Sequence, residues 1–213
     1  MADRTISEAL FEKFCSTYAV PCHRIPEGRC ESPDYEILLG DVRVVCEVKQ
    51  IDPNADDLAQ LREARAVGAA ARWVPNRLRS KLKRNASRQL KAASRDGRPT
   101  LLVVYDNTPF KMYSAHFDVL QALFGAYLVT VTVPNDNPDA EPIVSEPFFG
   151  GNKGLTQRQN TVISAVAILD GPPSSAGTLR VYHNPYATVV LPPEILQPFP
   201  VRHCVLPGAD GAS

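Results

Sequence analysis

The feature that most constrains the fold is a hairpin pattern near the amino terminus. Residues 42–49 form an apolar run rich in β-branched side chains, and residues 35–39 form a second apolar run before it. The two runs are separated by Gly40-Asp41, a dipeptide typical of tight turns. Two strand-like runs on either side of such a turn predict a β-hairpin.

Three polar side chains are brought together by this hairpin. Asp34 opens the first strand, while Glu47 and Lys49 close the second. Because side chains alternate between the faces of a strand, Glu47 and Lys49 point to the same face. Two carboxylates can hold a hard divalent cation such as Mg2+, and a neighbouring amine can lie beside the water that the metal activates. This combination suits metal-dependent hydrolysis of phosphodiesters.

These residues also carry a family resemblance. Pro33-Asp34, twelve intervening residues and Glu47-Val48-Lys49 resemble the signature of the PD-(D/E)xK nucleases, the restriction-endonuclease-like superfamily. The predicted order of elements over residues 5–106 is similar to that of the superfamily: a helix, the Asp-bearing strand, the acidic-x-Lys strand, a helix and a further strand. The resemblance implies an α/β fold with a restriction-endonuclease-like core, in which helices flank a central mixed sheet.

The resemblance also implies roles for individual residues. Asp34 and Glu47 would ligate Mg2+, for which Mn2+ can substitute, together with the backbone carbonyl of Val48. Lys49 would position the nucleophile and stabilise the transition state.

The first helix offers a further candidate ligand. Thr5 and Glu8 form a capping box at its start, so Glu8 has a structural role. Glu12 has no such role, and in parts of the superfamily a glutamate from this helix adds to the metal site. Glu12 is therefore the candidate for that position, and the alternative is that it is a solvated helix residue.

Positive charge is concentrated in one segment although the net charge is zero. Residues 72–98 contain ten basic residues and one acid. Apolar side chains at helical spacing within residues 77–95 predict an amphipathic helix with a basic remainder. A solvated helix face is the alternative, but such faces usually mix both signs of charge. We expect this helix to contact nucleic-acid phosphates, and the candidate contacts are Arg77, Arg79, Lys81, Lys83, Arg84, Arg88 and Lys91.

The remaining pattern indicates a sheet that continues beyond this helix. Residues 100–106 are apolar throughout, as in a strand buried on both faces. Other predicted elements are helices at 56–67 and 115–124, strands at 126–133, 161–169 and 178–182, and a long loop at 134–160. We expect a nuclease-like core at residues 1–133 and a β-rich extension at residues 134–213 packed on the same sheet.

The bulk composition is that of a soluble globular protein, with 44% hydrophobic and 22% charged residues. No apolar stretch is long enough to span a bilayer, and the amino terminus has no apolar signal-peptide core. The five cysteines are odd in number and lack the C-x2-C spacing of zinc sites, which favours a reduced compartment. We therefore expect a cytoplasmic protein without a membrane partner.

Three functions are compatible with these patterns. The first is a Mg2+-dependent endonuclease. The resemblance favours DNA over RNA as the substrate, because most members of the superfamily act on DNA. A homodimer would suit cleavage of both strands of a duplex. The second is a nucleic-acid-binding or assembly protein on the same fold that does not cut. The third is an unrelated α/β domain in which Glu47 and Lys49 are an exposed pair. If the carboxylates of Asp34 and Glu47 lie close enough to share one ion, the third is disfavoured; if they face apart, the nuclease interpretation fails.

Overall fold

The chain folds around a central mixed sheet with helices on both faces. A computed structural model describes residues 4–26, 32–68, 77–82, 86–109, 111, 113–132, 141, 143–172, 174–175 and 177–204. The strands are β1 Cys22–Arg24, β2 Tyr35–Leu39, β3 Val42–Ile51, β4 Thr100–Asp106, β5 Tyr127–Leu128, β6 Val131–Thr132, β7 Ile143–Val144, β8 Phe148–Phe149, β9 Ala165–Asp170, β10 Thr178–His183 and β11 Val201–Cys204. The helices are α1 Ile6–Thr17, α2 Ala55–Val67, α3 Arg77–Lys81, α4 Ser87–Arg95, α5 His116–Phe124 and a 3-10 helix at Pro193–Leu196.

The central sheet has seven strands in the order β1-β2-β3-β4-β9-β10-β11. Antiparallel pairing joins β1 to β2 and β2 to β3, whereas β3, β4 and β9 run parallel. Strand β10 is antiparallel to β9 and parallel to β11. The predicted α/β class and mixed sheet are therefore confirmed.

The predicted hairpin is observed as β2 and β3. Its turn contains Gly40 with φ +59°, a left-handed conformation that glycine adopts without strain. The register runs from Leu39 opposite Val42 to Tyr35 opposite Cys46. Strand β3 continues past the hairpin to Ile51 and pairs with β4 along that extension, so its polar residues lie inside the sheet rather than at its edge.

Alternation along β3 separates two hydrophobic cores. Val44, Cys46 and Val48 pack against α1 and the segment around the 3-10 helix. Val45 and Ile51 pack on the other face, against α3, α4 and α5. Odd-numbered residues of β3, including Glu47 and Lys49, therefore belong to the face covered by α3, α4 and α5.

The predicted basic helix at residues 77–95 is observed as α3 and α4, and residues 83–85 between them lie outside the described residues. Its apolar stripe is confirmed, since Leu78, Leu82, Ala86, Leu90 and Ala93 are all buried. Burial of each large side chain contributes about 1.5–3 kcal/mol, so this stripe fixes which side of the two helices faces the sheet.

Several other predictions are confirmed. Helix α1 begins with the predicted capping box of Thr5 and Glu8. Helices α2 and α5 and the buried strand β4 lie where the pattern placed them. Strand β1 lies between Pro21 and Pro26, and it is held in the sheet by antiparallel pairing with β2.

The prediction of one strand at residues 126–133 is wrong. That segment contains the short strands β5 and β6, which pair with β8 and β7 in two separate two-stranded sheets. Their apolar side chains are largely exposed, so burial does not draw them into the central sheet. The predicted loop at 134–160 thus supplies two strands, while residues 133–140 and 142 lie outside the described residues.

Strands on both sides of the expected boundary at residue 133 belong to the central sheet, since β9, β10 and β11 extend the sheet that β1–β4 begin. Within the described ranges, no helix has the length and apolar character needed to cross a bilayer.

Candidate functional site

The hairpin places Asp34 beside Glu47. Tyr35 and Cys46 form the last pair of the β2–β3 register, so Asp34 and Glu47 are the next opposed residues. The backbone N–H of Asp34 donates to the carbonyl of Cys46 at 3.2 Å, and the N–H of Val48 donates to Oδ2 of Asp34 at 2.8 Å. These bonds hold the Asp34 carboxylate against the β3 backbone.

Glu47 is a buried carboxylate with an incomplete set of partners. Its exposed fraction is 0%, and it forms an ion pair with Lys49, whose side chain is 20% exposed. This ion pair lacks hydrogen-bond geometry, and neither oxygen of Glu47 has a hydrogen-bond partner among the described residues. Lys49 therefore partly compensates the charge of Glu47 through Oε1 and leaves Oε2 available to another ligand.

The electrostatics of the two carboxyl groups follow from this burial. The pKa of Glu47 is raised to about 7, mainly by burial and also by the charge of Asp34, and Lys49 opposes the shift. Burial also raises the pKa of Asp34, against the Val48 N–H and the Lys49 charge, while Glu8 adds to the shift. A second negative charge is therefore costly here unless a cation is present.

The two carboxyl groups lie close together and do not face apart, so the condition under which the nuclease interpretation fails is not met. Asp34 lies close enough for its charge to act directly on Glu47. Glu47 is not exposed, so Glu47 and Lys49 are not a solvated surface pair.

The donor set fits a magnesium-like ion. Mg2+ is usually bound through one or two carboxylates and keeps several waters, and the neighbouring carboxylates of Glu47 and Asp34 offer such a pair. No group of three or more His, Cys, Asp or Glu side chains suited to a metal is found in the part of the chain that the structure describes. The contribution of the Val48 carbonyl stays a prediction, since the observed contact to Asp34 uses the Val48 amide.

The surroundings of Glu8 and Glu12 on α1 differ from those predicted from the sequence. Glu12 accepts a hydrogen bond from the Tyr35 hydroxyl at 2.8 Å and forms an ion pair with Arg4 at 3.0 Å. Glu8, which the capping box seemed to occupy fully, is the α1 carboxylate whose charge acts on Asp34. It also pairs with Arg24 at 3.1 Å. The capping pattern concealed this second role of Glu8, while Glu12 as a metal ligand stays a prediction.

Two glutamine side chains lie near the site. Gln50 faces the α1 side and accepts the backbone N–H of Ser7 at 2.9 Å, as expected for a residue that points away from Lys49. Gln89 on α4 donates to the carbonyl of Ser32 at 3.3 Å, and its own carbonyl oxygen is buried without a hydrogen-bond donor among the described residues. Gln89 thus supports the segment that leads into Asp34.

The predicted nucleic-acid contacts fall into different environments. Arg77 pairs with Asp57 at 2.9 Å, and Arg79 donates to the carbonyl of Gln121 at 2.8 Å, so both help to hold the fold. Arg88 and Lys91 of α4 are exposed.

Lys81 is half-buried, and the charge of Lys49 acts on it. Lys83 and Arg84 lie outside the described residues.

Comparison of the chain with protein-family models, with curated proteins and with solved structures finds no match. The resemblance to PD-(D/E)xK nucleases therefore rests on the motif and geometry of this chain alone.

Proposed function

We propose that this protein is a Mg2+-dependent nuclease that hydrolyses phosphodiester bonds at a centre formed by Asp34, Glu47 and Lys49. The observation that carries the proposal is the buried Glu47 carboxylate, which lies beside a second carboxylate, Asp34, and among the described residues is paired with one cation, Lys49, through Oε1 alone. Buried carboxylates in this state destabilise a fold unless a cation compensates them. A role in cation binding explains why such a group is present.

Each residue of the centre has a distinct task. Asp34 and Glu47 hold the ion, and the Val48 N–H fixes the orientation of the Asp34 carboxylate. A bound Mg2+ would lower the pKa of a coordinated water and offset charge on the phosphate. Lys49 is partly exposed, so its ammonium can reach the substrate, orient the attacking water and stabilise negative charge in the transition state.

The order of elements supports a restriction-endonuclease-like core. Helix α1 is followed by the antiparallel strands β1–β3, then by helices on the opposite face, then by β4 parallel to β3. This is the order that the resemblance implies. Strands β9–β11 would be a C-terminal extension of that core.

The exposed side chains of Arg88 and Lys91 are the contacts that we propose for the nucleic-acid backbone. Contacts to phosphate release counterions, so binding should weaken as salt rises. The resemblance favours DNA as the substrate, and a twofold dimer would present two centres to a duplex.

The test is cleavage of plasmid and single-stranded DNA with Mg2+ or Mn2+, beside EDTA and the variants Asp34→Ala, Glu47→Ala and Lys49→Ala. We expect EDTA to abolish cleavage and each variant to lower the rate by about 10²–10³-fold. Asp41→Asn is the matched control, because Asp41 is an exposed carboxylate in the turn of the same hairpin. It should cleave at the wild-type rate.

Two outcomes would overturn the proposal. Equal cleavage by the wild type and all three variants would place the activity elsewhere. Salt-dependent DNA binding without cleavage would favour the alternative, a nucleic-acid-binding protein on the same fold.

A further inference from the structure

Residues 126–132 and 143–150 form an antiparallel arm that lies outside the central sheet. Strand β5 pairs with β8, and strand β6 pairs with β7. The Tyr127 ring contacts the Phe117 ring of α5 and the Phe149 ring of the arm, with centroid distances of 5.6 and 5.4 Å. These contacts join one end of the arm to α5.

The arm and the start of α5 carry most of the large apolar side chains that the described residues expose. Eight of thirteen such residues lie here, each 43–66% exposed: Phe117, Tyr127, Leu128, Val129, Val131, Ile143, Val144 and Phe148. Together they present on the order of 800 Å2, which is roughly what each partner contributes to a standard protein interface. The largest apolar patch of a typical monomer is about 300–600 Å2. The size of this patch therefore indicates an interface.

The charge of the arm narrows the class of partner. Residues 126–150 contain four acids and no lysine or arginine. Nucleic-acid phosphates and anionic lipid headgroups are bound by basic side chains, so the arm repels both. An apolar surface of this area with acidic surroundings suits a protein partner.

The two edges of the arm differ in their capacity to pair with another strand. Among the described residues, each strand of the arm pairs on one side only. The second strand carries Glu146 and Pro147, and charge and proline are devices that block pairing at an exposed edge. The first strand, residues 126–132, has neither and alternates β-branched with other uncharged side chains. The first strand is therefore the edge that can accept a further strand.

The backbone of the first strand directs its outward hydrogen-bonding groups from odd-numbered residues. Ala126 and Thr130 use both backbone groups toward the second strand and the loop after it, in bonds of 2.7–3.2 Å. Because these groups alternate along an antiparallel strand, the N–H and C=O of Tyr127, Val129 and Val131 point to the outer edge. Three outward residues with apolar side chains thus form a self-complementary edge.

We propose that the first strand of the arm pairs edge to edge with the same strand of a second copy of this chain, antiparallel and across a twofold axis at Val129. Tyr127 of one copy then lies opposite Val131 of the other, so apolar side chains meet across the axis. A twofold contact requires one surface that complements itself, and this edge does. The contact does not rest on the nuclease function, although it would form the dimer that presents two centres to a duplex.

Sedimentation equilibrium tests the contact with two variants. Val129→Pro removes an outward N–H and no hydrogen bond inside the arm, and Val131→Glu places an unpaired charge in the apolar contact. We expect the wild type to dimerise and each variant to raise the dissociation constant of the dimer by about 10²-fold. Val190→Glu is the matched control, because Val190 is an exposed valine outside the arm. Its dimer should have the wild-type dissociation constant.

The substituted side chains are exposed, so the variants should fold. Circular dichroism at a concentration where the wild type is monomeric should give the same spectrum and Tm for all four proteins. A wild type that stays monomeric up to about 100 μM would overturn the proposal. A dimer that both folded variants retain would overturn it as well.

Ionic strength provides a measurement that needs no variant. Two acidic arms repel each other, so the dissociation constant of the wild-type dimer should fall as NaCl rises from about 0.05 to 0.5 M. A dissociation constant that rises with salt would mean that the arm binds an oppositely charged surface, such as the basic helices of the other copy. That result would overturn pairing between the arms.

Failure of this contact and failure of the nuclease proposal are distinguishable, because dimerisation is measured without cleavage. If the wild type dimerises through the arm but does not cleave, the nuclease proposal fails and the contact stands. If the wild type cleaves as a monomer, the nuclease proposal stands and this inference fails.

Discussion

Two buried carboxylates on the same side of the sheet have opposite surroundings. Asp57 of α2 accepts hydrogen bonds from the Asn54 N–H at 2.9 Å, the Arg77 guanidinium at 2.9 Å and the Tyr113 hydroxyl at 2.8 Å. Glu47 has the ion pair with Lys49 and no hydrogen-bond partner among the described residues. Both are almost fully buried, at 1% and 0% exposed.

The difference separates a carboxylate that holds the fold from one that is available to a ligand. The bonds of Asp57 link α2, α3 and the loop before α5, so its negative charge is fully used inside the protein. Within the described part of the chain, Lys49 alone compensates the charge of Glu47, and Asp34 opposes that charge. We therefore expect Asp57 to stabilise the protein and Glu47 to destabilise it until a cation binds.

The largest expected difference is in stability after matched amide substitutions. Asp57→Asn should lower the free energy of unfolding by about 3–4 kcal/mol, because it leaves the Arg77 charge without its partner. Glu47→Gln should leave that free energy unchanged or raise it in EDTA. Urea denaturation of both variants measures the two values, with Asp41→Asn as the control. Equal destabilisation by Glu47→Gln would mean that Glu47 is a second structural anchor.

The next effect is a pH dependence that belongs to Glu47. The pKa of Glu47 is raised from 4.5 to about 7 in the folded protein, so the folded protein binds this proton more tightly than the unfolded chain does. Protonation of Glu47 therefore adds to the free energy of unfolding. This contribution is complete below pH 4.5 and is lost as the pH rises through 7. The shift corresponds to about 3 kcal/mol. Urea denaturation in EDTA across this range should show the loss in the wild type.

The variant Glu47→Gln distinguishes this group from the other acids. We expect its free energy of unfolding to decline much less between pH 4.5 and 7, with only the smaller contribution of Asp34 remaining, because the pKa of Asp34 is shifted in the same direction. An identical decline in the wild type and Glu47→Gln would assign the titration to another residue.

The smallest effect is stabilisation by the metal. Mn2+ at about 100 times its dissociation constant should add about 2.7 kcal/mol to the stability of the wild type. Glu47→Gln should lose this gain, whereas Asp57→Asn should keep it. Thermal denaturation with and without Mn2+ measures the gain. A gain that disappears in Asp57→Asn and persists in Glu47→Gln would reverse the assignment of the two carboxylates.

Local patterns predicted the parts of the site that depend on neighbouring residues. The turn at Gly40 and the alternation along β3 placed Glu47 and Lys49 on one face, and the hairpin register follows from the same pattern. The apolar stripe of α3 and α4 was visible in the sequence for the same reason, because helical spacing sets which side chains share a face. Each of these features depends on residues close together in sequence, and each is observed in the folded protein.

Other parts of the site depend on contacts between segments distant in sequence. Glu8 and Glu12 lie one helical turn apart, and only the packing of α1 on the sheet decides that Glu8 acts on Asp34 while Glu12 bonds Tyr35. Likewise, only the packing of α3 against α2 places Arg77 in an ion pair with Asp57.

The amino-acid sequence thus specified which chemical groups the centre contains, because the hairpin and its alternation are local properties of the chain. The tertiary structure decided how those groups are used. Burial under α3, α4 and α5 left Glu47 without hydrogen-bond partners among the described residues, apart from its ion pair with Lys49. Desolvation and charge proximity arise only when the layers pack, so a carboxylate or lysine acquires its function from neighbours that are distant in sequence.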